Sequence, residues 1–229
     1  MKIVIISDIH GNYDAWRALP EDYDELWVLG DLVNYGPQPS DVVSEVMERA
    51  SIVVQGNHDH AVGYEDDSLW TPRYRIIAEA TRRFTSSVLS DAQKTYLRNL
   101  PLHFEAERCG KRFHLIHAMP SNPLYGRCPP DGNQWIDEIE AVSTDVLLVG
   151  HTHVPFIRTI GEKVLLNPGS IGQPRGGGSL SSYALWWNGK FELRTFQYPV
   201  ETTIRKLKAL SLPQPVESDL VGILQTGSV

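Results

Sequence analysis

The chain has 229 residues, of which 41% are hydrophobic and 21% charged, and these ordinary proportions exclude wholesale disorder, collagen and coiled coil. Lys and Arg number 21 against 28 Asp and Glu, so the net charge of -7 disfavours nonspecific binding to nucleic acid or anionic membranes. The two cysteines, Cys109 and Cys128, exclude a disulfide framework and favour a cytoplasmic setting, and no apolar run approaches a membrane span.

Five short apolar runs predict the central strands of a sheet. They cover residues 3–6, 26–29, 52–54, 113–116 and 146–149. None alternates strictly with polar residues, which is typical of strands covered on both faces. Asn12 and Ser40 are predicted N-caps of helices between the first three runs. This order indicates βαβ units and a largely parallel sheet.

Residues 62–100 are predicted to form a helical excursion between strands, placed to shape the mouth of a pocket. Apolar residues repeat there at helical spacing, at Ile77, Ala80, Phe84 and Val88. Ser90 and Gln93 form a capping box for a second helix.

Two antiparallel hairpins are predicted in the C-terminal third, at Gly161-Glu162 and at Asn188-Gly189. We expect them to form a second sheet or the edge of the first. From residue 212 the chain is rich in proline and then polar. These features predict one domain over residues 1–211, followed by a loosely packed tail at 212–229.

Side chains that can bind metal ions follow nearly every predicted core strand. They are Asp8, His10, Asp31, Asn57, His58, Asp59, His117, His151 and His153. Because the carboxyl ends of neighbouring strands converge on one crevice, we expect these residues to meet there. Imidazole, carboxylate and amide ligands suit Mn, Fe, Co, Ni or Zn, and there are too many donors for one ion. The sequence therefore predicts two divalent metal ions that share one carboxylate.

The succession DxH, GD, GNHD, a strand-end His and GHxH resembles the motifs of the calcineurin-like metallophosphoesterase superfamily, over roughly residues 1–172. The NPGS at 167–170 and the QPR at 173–175 are similar to the small bacterial and archaeal phosphodiesterase branch. The resemblance implies an α/β sandwich of two mixed β-sheets flanked by helices. It also implies a dinuclear metal centre at the carboxyl edge of the sheets.

The resemblance further implies a role for each motif residue. One ion is expected on Asp8, His10, Asp31 and His153, and the other on Asp31, Asn57, His117 and His151, with Asp31 bridging. A metal-bridging hydroxide is expected to attack phosphorus while His58 protonates the leaving oxygen and Asp59 orients the His58 ring. The implied activity is hydrolysis of a small phosphodiester.

Two further residues are candidate substrate ligands, Arg175 and Tyr35. Tyr35 stands where relatives that dephosphorylate proteins carry a phosphate-binding arginine, so a protein phosphatase is disfavoured. Tyr125 and Arg127 could line the pocket or lie at the surface. Two alternatives stay open: a phosphomonoesterase for small metabolites or nucleotides, and a non-catalytic binding scaffold of the same fold. A nucleic-acid exonuclease is disfavoured, since the acidic chain lacks an evident basic track.

Overall fold

The computed structural model describes residues 1–68, 70, 72, 74–175 and 178–228. The strands are β1 (Lys2–Ile6), β2 (Glu25–Val28), β3 (Ile52–Val53), β4 (His103–Arg108), β5 (Lys111–Ile116), β6 (Val146–Leu148), β7 (Phe156–Ile160), β8 (Lys163–Asn167), β9 (Ser181–Trp187) and β10 (Lys190–Phe196). The helices are α1 (Tyr13–Arg17), α2 (Pro39–Arg49), α3 (Asn57–Tyr64), α4 (Arg75–Val88), α5 (Asp91–Asn99), α6 (Gln134–Glu140), α7 (Val200–Lys208) and α8 (Gln214–Thr226). None of the helices described is both long and apolar enough to cross a membrane.

The strands form two five-stranded sheets, ordered β10-β9-β1-β2-β3 and β4-β5-β6-β8-β7. Pairing is parallel from β1 through β2 to β3 and from β5 through β6 to β8. The hairpins β4–β5, β7–β8 and β9–β10 are antiparallel, so both sheets are mixed. The predicted α/β sandwich of two mixed sheets is confirmed. Of the two predicted hairpins, β7–β8 lies in the second sheet, and β9–β10 extends the first by pairing β9 with β1.

Alternation along β1 places its side chains in two different cores, because successive side chains of a strand point to opposite faces. Ile3 and Ile5 pack with Phe113 of β5 in the core between the sheets. Val4 and Ile6 pack against apolar side chains of α1, α2 and α5 on the other face. A third cluster joins α6 to the outer face of the second sheet. The strands therefore lie between helical layers, as their continuous apolar runs indicated.

The predicted excursion at 62–100 contains the end of α3 and all of α4 and α5. The capping box of α5 is confirmed: Ser90 Oγ accepts from the Gln93 amide at 3.2 Å, and Gln93 Oε1 accepts from the Ser90 amide at 3.0 Å. The predicted N-cap at Ser40 is wrong, since α2 begins one residue earlier, at Pro39. The Ser40 hydroxyl instead accepts from Gln93 Nε2 at 3.0 Å and joins α2 to α5.

The predicted loose tail is the packed helix α8. Its prolines, Pro213 and Pro215, lie at the helix start, where a missing backbone N–H costs nothing. One face of α8 is buried against α7, α4 and Tyr35 through Val216, Leu220, Ile223 and Leu224. The prediction of a loose tail is wrong, because the proline-rich and polar composition hid this apolar repeat at helical spacing. The helix closes one side of the functional site described below.

Candidate active site

Five segments bring their polar side chains together at the carboxyl edges of both sheets. Asp8 follows β1 and Asp31 follows β2, while Asn57 begins α3 after β3. His117 follows β5 and His151 follows β6, so the second sheet supplies these histidines. All of these side chains are buried. The expected meeting point is therefore a cleft between two sheets rather than the edge of one.

Two groups of ligand atoms form in this cleft, and within each group all atoms lie within 4.8 Å of one another. The first group contains Asp8, His10, Asp31 and His153, and the second contains Asp31, His117 and His151. Asp31 belongs to both, with Oδ2 3.7 Å from His10 Nε2 and 3.3 Å from His117 Nε2. Asn57 Oδ1 lies 3.1 Å from the same His117 nitrogen. The structure thus gathers all seven predicted metal ligands.

Backbone carbonyls fix the orientation of three of the histidine rings. In each ring Nδ1 lies within hydrogen-bonding distance of a backbone carbonyl oxygen. The distances are 3.1 Å from His10 Nδ1 to the Val33 oxygen, 2.7 Å from His117 Nδ1 to the Leu29 oxygen and 2.6 Å from His153 Nδ1 to the Gln173 oxygen. An Nδ1–H that donates to such an oxygen leaves the lone pair of Nε2 facing the cleft. The Nε2 atoms of His10 and His153 face each other at 3.1 Å, an arrangement that a shared cation satisfies.

Unpartnered buried atoms also point to a cation. Asp8 Oδ1 and His151 Nε2 have no hydrogen-bond partner among the described residues, and both are buried. Burial lowers the pKa of His117, but the Asp31 carboxylate outweighs it and raises that pKa to about 9. The Asp31 carboxylate therefore favours a positive charge directly beside it. The donor set and its orphaned atoms fit a pair of divalent metal ions.

Asp59 does not contact the His58 ring as the prediction required. Its carboxylate accepts three backbone N–H bonds, from Asp31 at 2.8 Å, Leu32 at 2.8 Å and Gly56 at 2.9 Å. Burial and the neighbouring Asp31 carboxylate raise the pKa of Asp59 to about 7. Asp59 therefore ties the loop after β2 to the start of α3, and it positions the ligand loops rather than the imidazole.

The side chain within hydrogen-bonding distance of the His58 ring is that of Asn34, a residue that the sequence motifs did not single out. The Asn34 side-chain amide lies 2.9 Å from His58 Nδ1 and is fully buried. Burial lowers the pKa of His58 to about 4, with the Asp31 carboxylate opposing that effect. The spacing Gly30-Asp31-x-x-Asn34 is the sequence signal that could have suggested it, since Asn34 lies one short turn beyond a ligand.

Aromatic rings enclose His58 on two sides. The ring centroids of Tyr35 and Trp70 lie 4.6 Å and 4.8 Å from that of His58. Trp70 Nε1 donates to Asp67, whose carboxylate also pairs with Arg82 at 2.6 Å. Trp70 was another residue that the sequence did not single out. The ring of His58 is therefore held by packing as well as by Asn34.

A cavity of about 130 Å³ opens above the ligand atoms. Both candidate substrate ligands, Tyr35 and Arg175, line it, as do Tyr125 and Arg127. Arg175 Nε is buried and has no hydrogen-bond partner among the described residues, while Nη2 donates to Gln173 Oε1 at 3.0 Å. Two arginines beside a buried metal-ligand cluster suit an anion with several oxygen atoms.

Strained backbone is concentrated at this site. Of the 11 non-glycine residues with positive φ among those described, seven surround the cleft: Asp8, His10, Asp31, Asn34, Tyr35, His151 and His153. Such conformations cost free energy and persist where the surrounding structure fixes them. The backbone of Gly56 lies very close to Asp31: a Cβ at this position would be only 2.8 Å from the Asp31 carboxyl carbon. The fold accepts this strain in order to bring the ligand side chains together.

Comparisons with known proteins agree with this geometry. The family model described as calcineurin-like phosphoesterase superfamily domain matches residues 1–187. A probable metallophosphoesterase of Methanothermobacter thermautotrophicus is 37% identical over 186 residues, 76% of this chain and 80% of its own length. Phosphodiesterase YfcE of Escherichia coli is 27% identical over 198 residues, 79% of this chain and 85% of its own.

A solved structure extends the similarity to almost the whole chain. The metallophosphoesterase from Sphaerobacter thermophilus superposes with a TM-score of 0.83 at 27% identity, covering 96% of this chain and 98% of that one. Sequence motifs, fold and cleft geometry thus agree with the resemblance that the motifs suggested. The chain belongs to the calcineurin-like phosphoesterase superfamily.

Proposed function

We propose that this chain is a dinuclear metal-dependent phosphodiesterase that acts on a small phosphoester. The observation that carries the proposal is the set of histidine Nε2 atoms aimed at two buried aspartates. Asp8, His10, Asp31 and His153 would hold one ion, and Asp31, Asn57, His117 and His151 would hold the other. The mixed nitrogen and oxygen ligands favour Mn, Fe, Ni, Co or Zn.

Bound divalent ions would supply Lewis-acid chemistry and an activated water at this position. The residues of the chain do the rest. Arg175 and Arg127 neutralise phosphate oxygens in the 130 Å³ cavity, and Tyr35 forms its wall. His58 donates a proton or a hydrogen bond to the leaving oxygen from Nε2, because Asn34 occupies Nδ1. Trp70 and Tyr35 exclude water from one side of that ring.

The similarity to a named phosphodiesterase supports diester cleavage, and the two unpaired cysteines support a reducing, cytoplasmic location. The cleft itself also suits a monoester. Both enzyme activities need the metal ions and His58, whereas a scaffold of this fold needs neither for binding a partner.

The test is hydrolysis of bis-p-nitrophenyl phosphate by metal-stripped protein after return of Mn, Ni, Co, Zn or Mg. We expect activity only with metal, and His58→Ala lowers kcat by about 100-fold or more. His60→Ala is the matched control, because His60 lies on the same helix and no hydrogen bond joins its Nδ1 to the site. A higher rate with p-nitrophenyl phosphate would make the chain a monoesterase. No turnover of either substrate despite bound metal would reject both the phosphodiesterase and the phosphomonoesterase activity.

A further inference from the structure

A second and larger cavity adjoins the metal cleft. It has a volume of about 350 Å³ and lies between α4 and α8, within the range of small-molecule sites in proteins. Tyr35, Tyr74 and Arg175 line both this cavity and the 130 Å³ cavity above the ligand atoms. A molecule whose phosphate sits on the metal ions can therefore extend past these three residues into the larger space.

The lining of the larger cavity changes from apolar to polar. Ile77 and Ile223 are buried and, together with Tyr74, give a face for a flat ring. Ser218, Asp219 and Thr226 on α8 supply hydroxyl and carboxylate oxygens at the outer side. A carboxylate there accepts hydrogen bonds from hydroxyl groups and repels a second phosphate. The lining thus suits an uncharged group with a ring and hydroxyls.

Arginine marks the boundary between the two cavities. The Arg175 guanidinium lies over the Tyr74 ring at 5.5 Å, and that of Arg127 lies over the same ring at 5.9 Å. Neither arginine forms an ion pair with a carboxylate in the part of the chain that the structure describes. Both arginines line the 130 Å³ cavity, where they can meet a phosphate, whereas Asp219 lines the larger cavity, which therefore favours a group without negative charge.

Gly222 keeps the larger cavity open. It lies on α8 in the cavity wall, and a Cβ built there meets no atom within 4 Å. Glycine inside a helix costs about 1 kcal/mol relative to alanine, and no packing contact requires it at this position. The missing side chain leaves room, and a larger residue in this wall would take up part of the cavity volume.

We propose that the cavity between α4 and α8 binds the nucleoside group of a nucleoside phosphodiester whose reacting phosphate lies at the metal cleft. This inference rests on the proposed function and adds the substrate class to it. The base packs on Tyr74, Ile77 and Ile223, and the sugar hydroxyls bond to the polar residues of α8. The family model ends at residue 187, so this selectivity lies in a helix beyond it.

The test compares two diesters that share one leaving group, thymidine 5′-(p-nitrophenyl phosphate) and methyl p-nitrophenyl phosphate. In the wild type we expect a higher kcat/KM for the thymidine ester. Gly222→Leu should lower the ratio of the two kcat/KM values by at least about tenfold, because the leucine fills the nucleoside space. Gln225→Leu adds the same side chain at an exposed position of α8 outside the cavity lining, and it should leave the ratio unchanged.

A binding measurement keeps the two proposals distinguishable. Calorimetry on metal-loaded protein should show tighter binding of thymidine 5′-monophosphate than of methyl phosphate, with the difference lost in Gly222→Leu. That result without any hydrolysis would support the cavity assignment and reject the phosphodiesterase. Two results together would overturn the cavity assignment alone. One is hydrolysis of both diesters with the same ratio of kcat/KM values in the wild type and in Gly222→Leu. The other is equal binding of thymidine 5′-monophosphate and methyl phosphate.

Discussion

The cleft has a floor and an outer wall that are held in place in different ways. The floor consists of the predicted metal-ligand side chains at the strand ends, and the wall consists of Tyr74, Arg127, Arg175 and α8. In the floor, strand-end side chains are buried, and backbone carbonyls fix the rings of His10, His117 and His153. In the wall, Tyr74 and Arg175 are half-buried and Arg127 is exposed, and their contacts include two guanidinium–ring contacts and one side-chain hydrogen bond. The floor is therefore rigid where the wall can adapt.

The difference separates reactivity from selectivity. Metal ligands must hold their geometry closely, and that requires neighbours which lock each rotamer. Residues that recognise the rest of a substrate tolerate more freedom, and the proposed ones lie on loops, on α4 and on α8. Changes in the floor should remove the chemistry, whereas changes in the wall should alter the choice of substrate.

The largest effect is expected at Asp31, the carboxylate shared by both ligand groups. Asp31→Asn should reduce bound metal to one ion per chain or fewer. It should also lower kcat/KM by more than about 100-fold, a larger loss than is typical when a residue that only supports a metal ligand is changed. Elemental analysis and diester hydrolysis measure this. Asp137→Asn, at an exposed position of α6, is the control. Full metal content and activity in Asp31→Asn would disprove the shared ligand.

A large effect on stability is expected at Leu220 of α8, which is 2% exposed. Leu220→Ala should lower the free energy of unfolding by about 2–5 kcal/mol, because it removes buried contacts and leaves a cavity. Urea unfolding measures it, and Gln225→Ala on the exposed face is the control. A change below about 0.5 kcal/mol, as at ordinary surface sites, would mean that α8 does not hold the wall.

A smaller catalytic effect is expected at Asn34, which acts through His58. Asn34→Ala should lower kcat by about 10–100-fold and change KM little, as for other residues that orient a reacting side chain. Asn34→Asp should restore part of the rate and move the basic limb of the pH–rate profile upward. The reason is that a carboxylate beside Nδ1 raises the pKa of His58. An unshifted profile in Asn34→Asp would show that Asn34 is only structural.

The smallest effect is expected far from the cleft, at Glu21, which accepts from Lys2 at 2.7 Å and pairs with Arg194. The hydrogen bond from Lys2 holds the pKa of Glu21 below its usual value of 4.5; burial opposes this effect, and the hydrogen bond from Tyr183 adds to it. The contribution to stability is thus complete above about pH 4.5 and is lost as pH falls through the lower folded-state pKa.

Glu21→Gln should therefore lower the free energy of unfolding by up to about 1 kcal/mol at pH 7, a typical value for such pairs, and by less at pH 3. Unfolding curves at both pH values measure this, with diester hydrolysis at pH 7 as the reference. Equal losses at both pH values would assign the effect to packing. A drop in kcat would show that the floor is not independent of the distant edge of the sheet.

Local sequence patterns predicted much of the fold and most of the cleft. The Asn12 cap of α1, the Ser90 capping box and both C-terminal hairpins are present, since each depends on neighbouring residues. β4 was missed because its residues are mostly exposed and polar, and it is defined only by pairing with β5. α8 was missed because its prolines hid the apolar face that packs on α7.

The roles of Asp59 and Asn34 show why residue type alone was not enough. Both follow a ligand within three residues, and a carboxylate is the commoner partner for a histidine. Only the folded loops decide which one faces the ring. The Asp59 carboxylate accepts hydrogen bonds from three backbone N–H groups and is therefore not available to the His58 ring. The side-chain amide of Asn34 lies beside His58 Nδ1 instead.

The sequence by itself determined the chemistry of this protein, because strand-end ligands follow from apolar runs and the residues directly after them. The tertiary structure decided where the two halves of the predicted ligand set come from, which side chain lies beside His58 Nδ1 and what encloses the cleft. Those features arise between segments that are far apart in the chain, such as α4 and α8. Their contacts depend on the packing of whole sheets and helices, which no local pattern records.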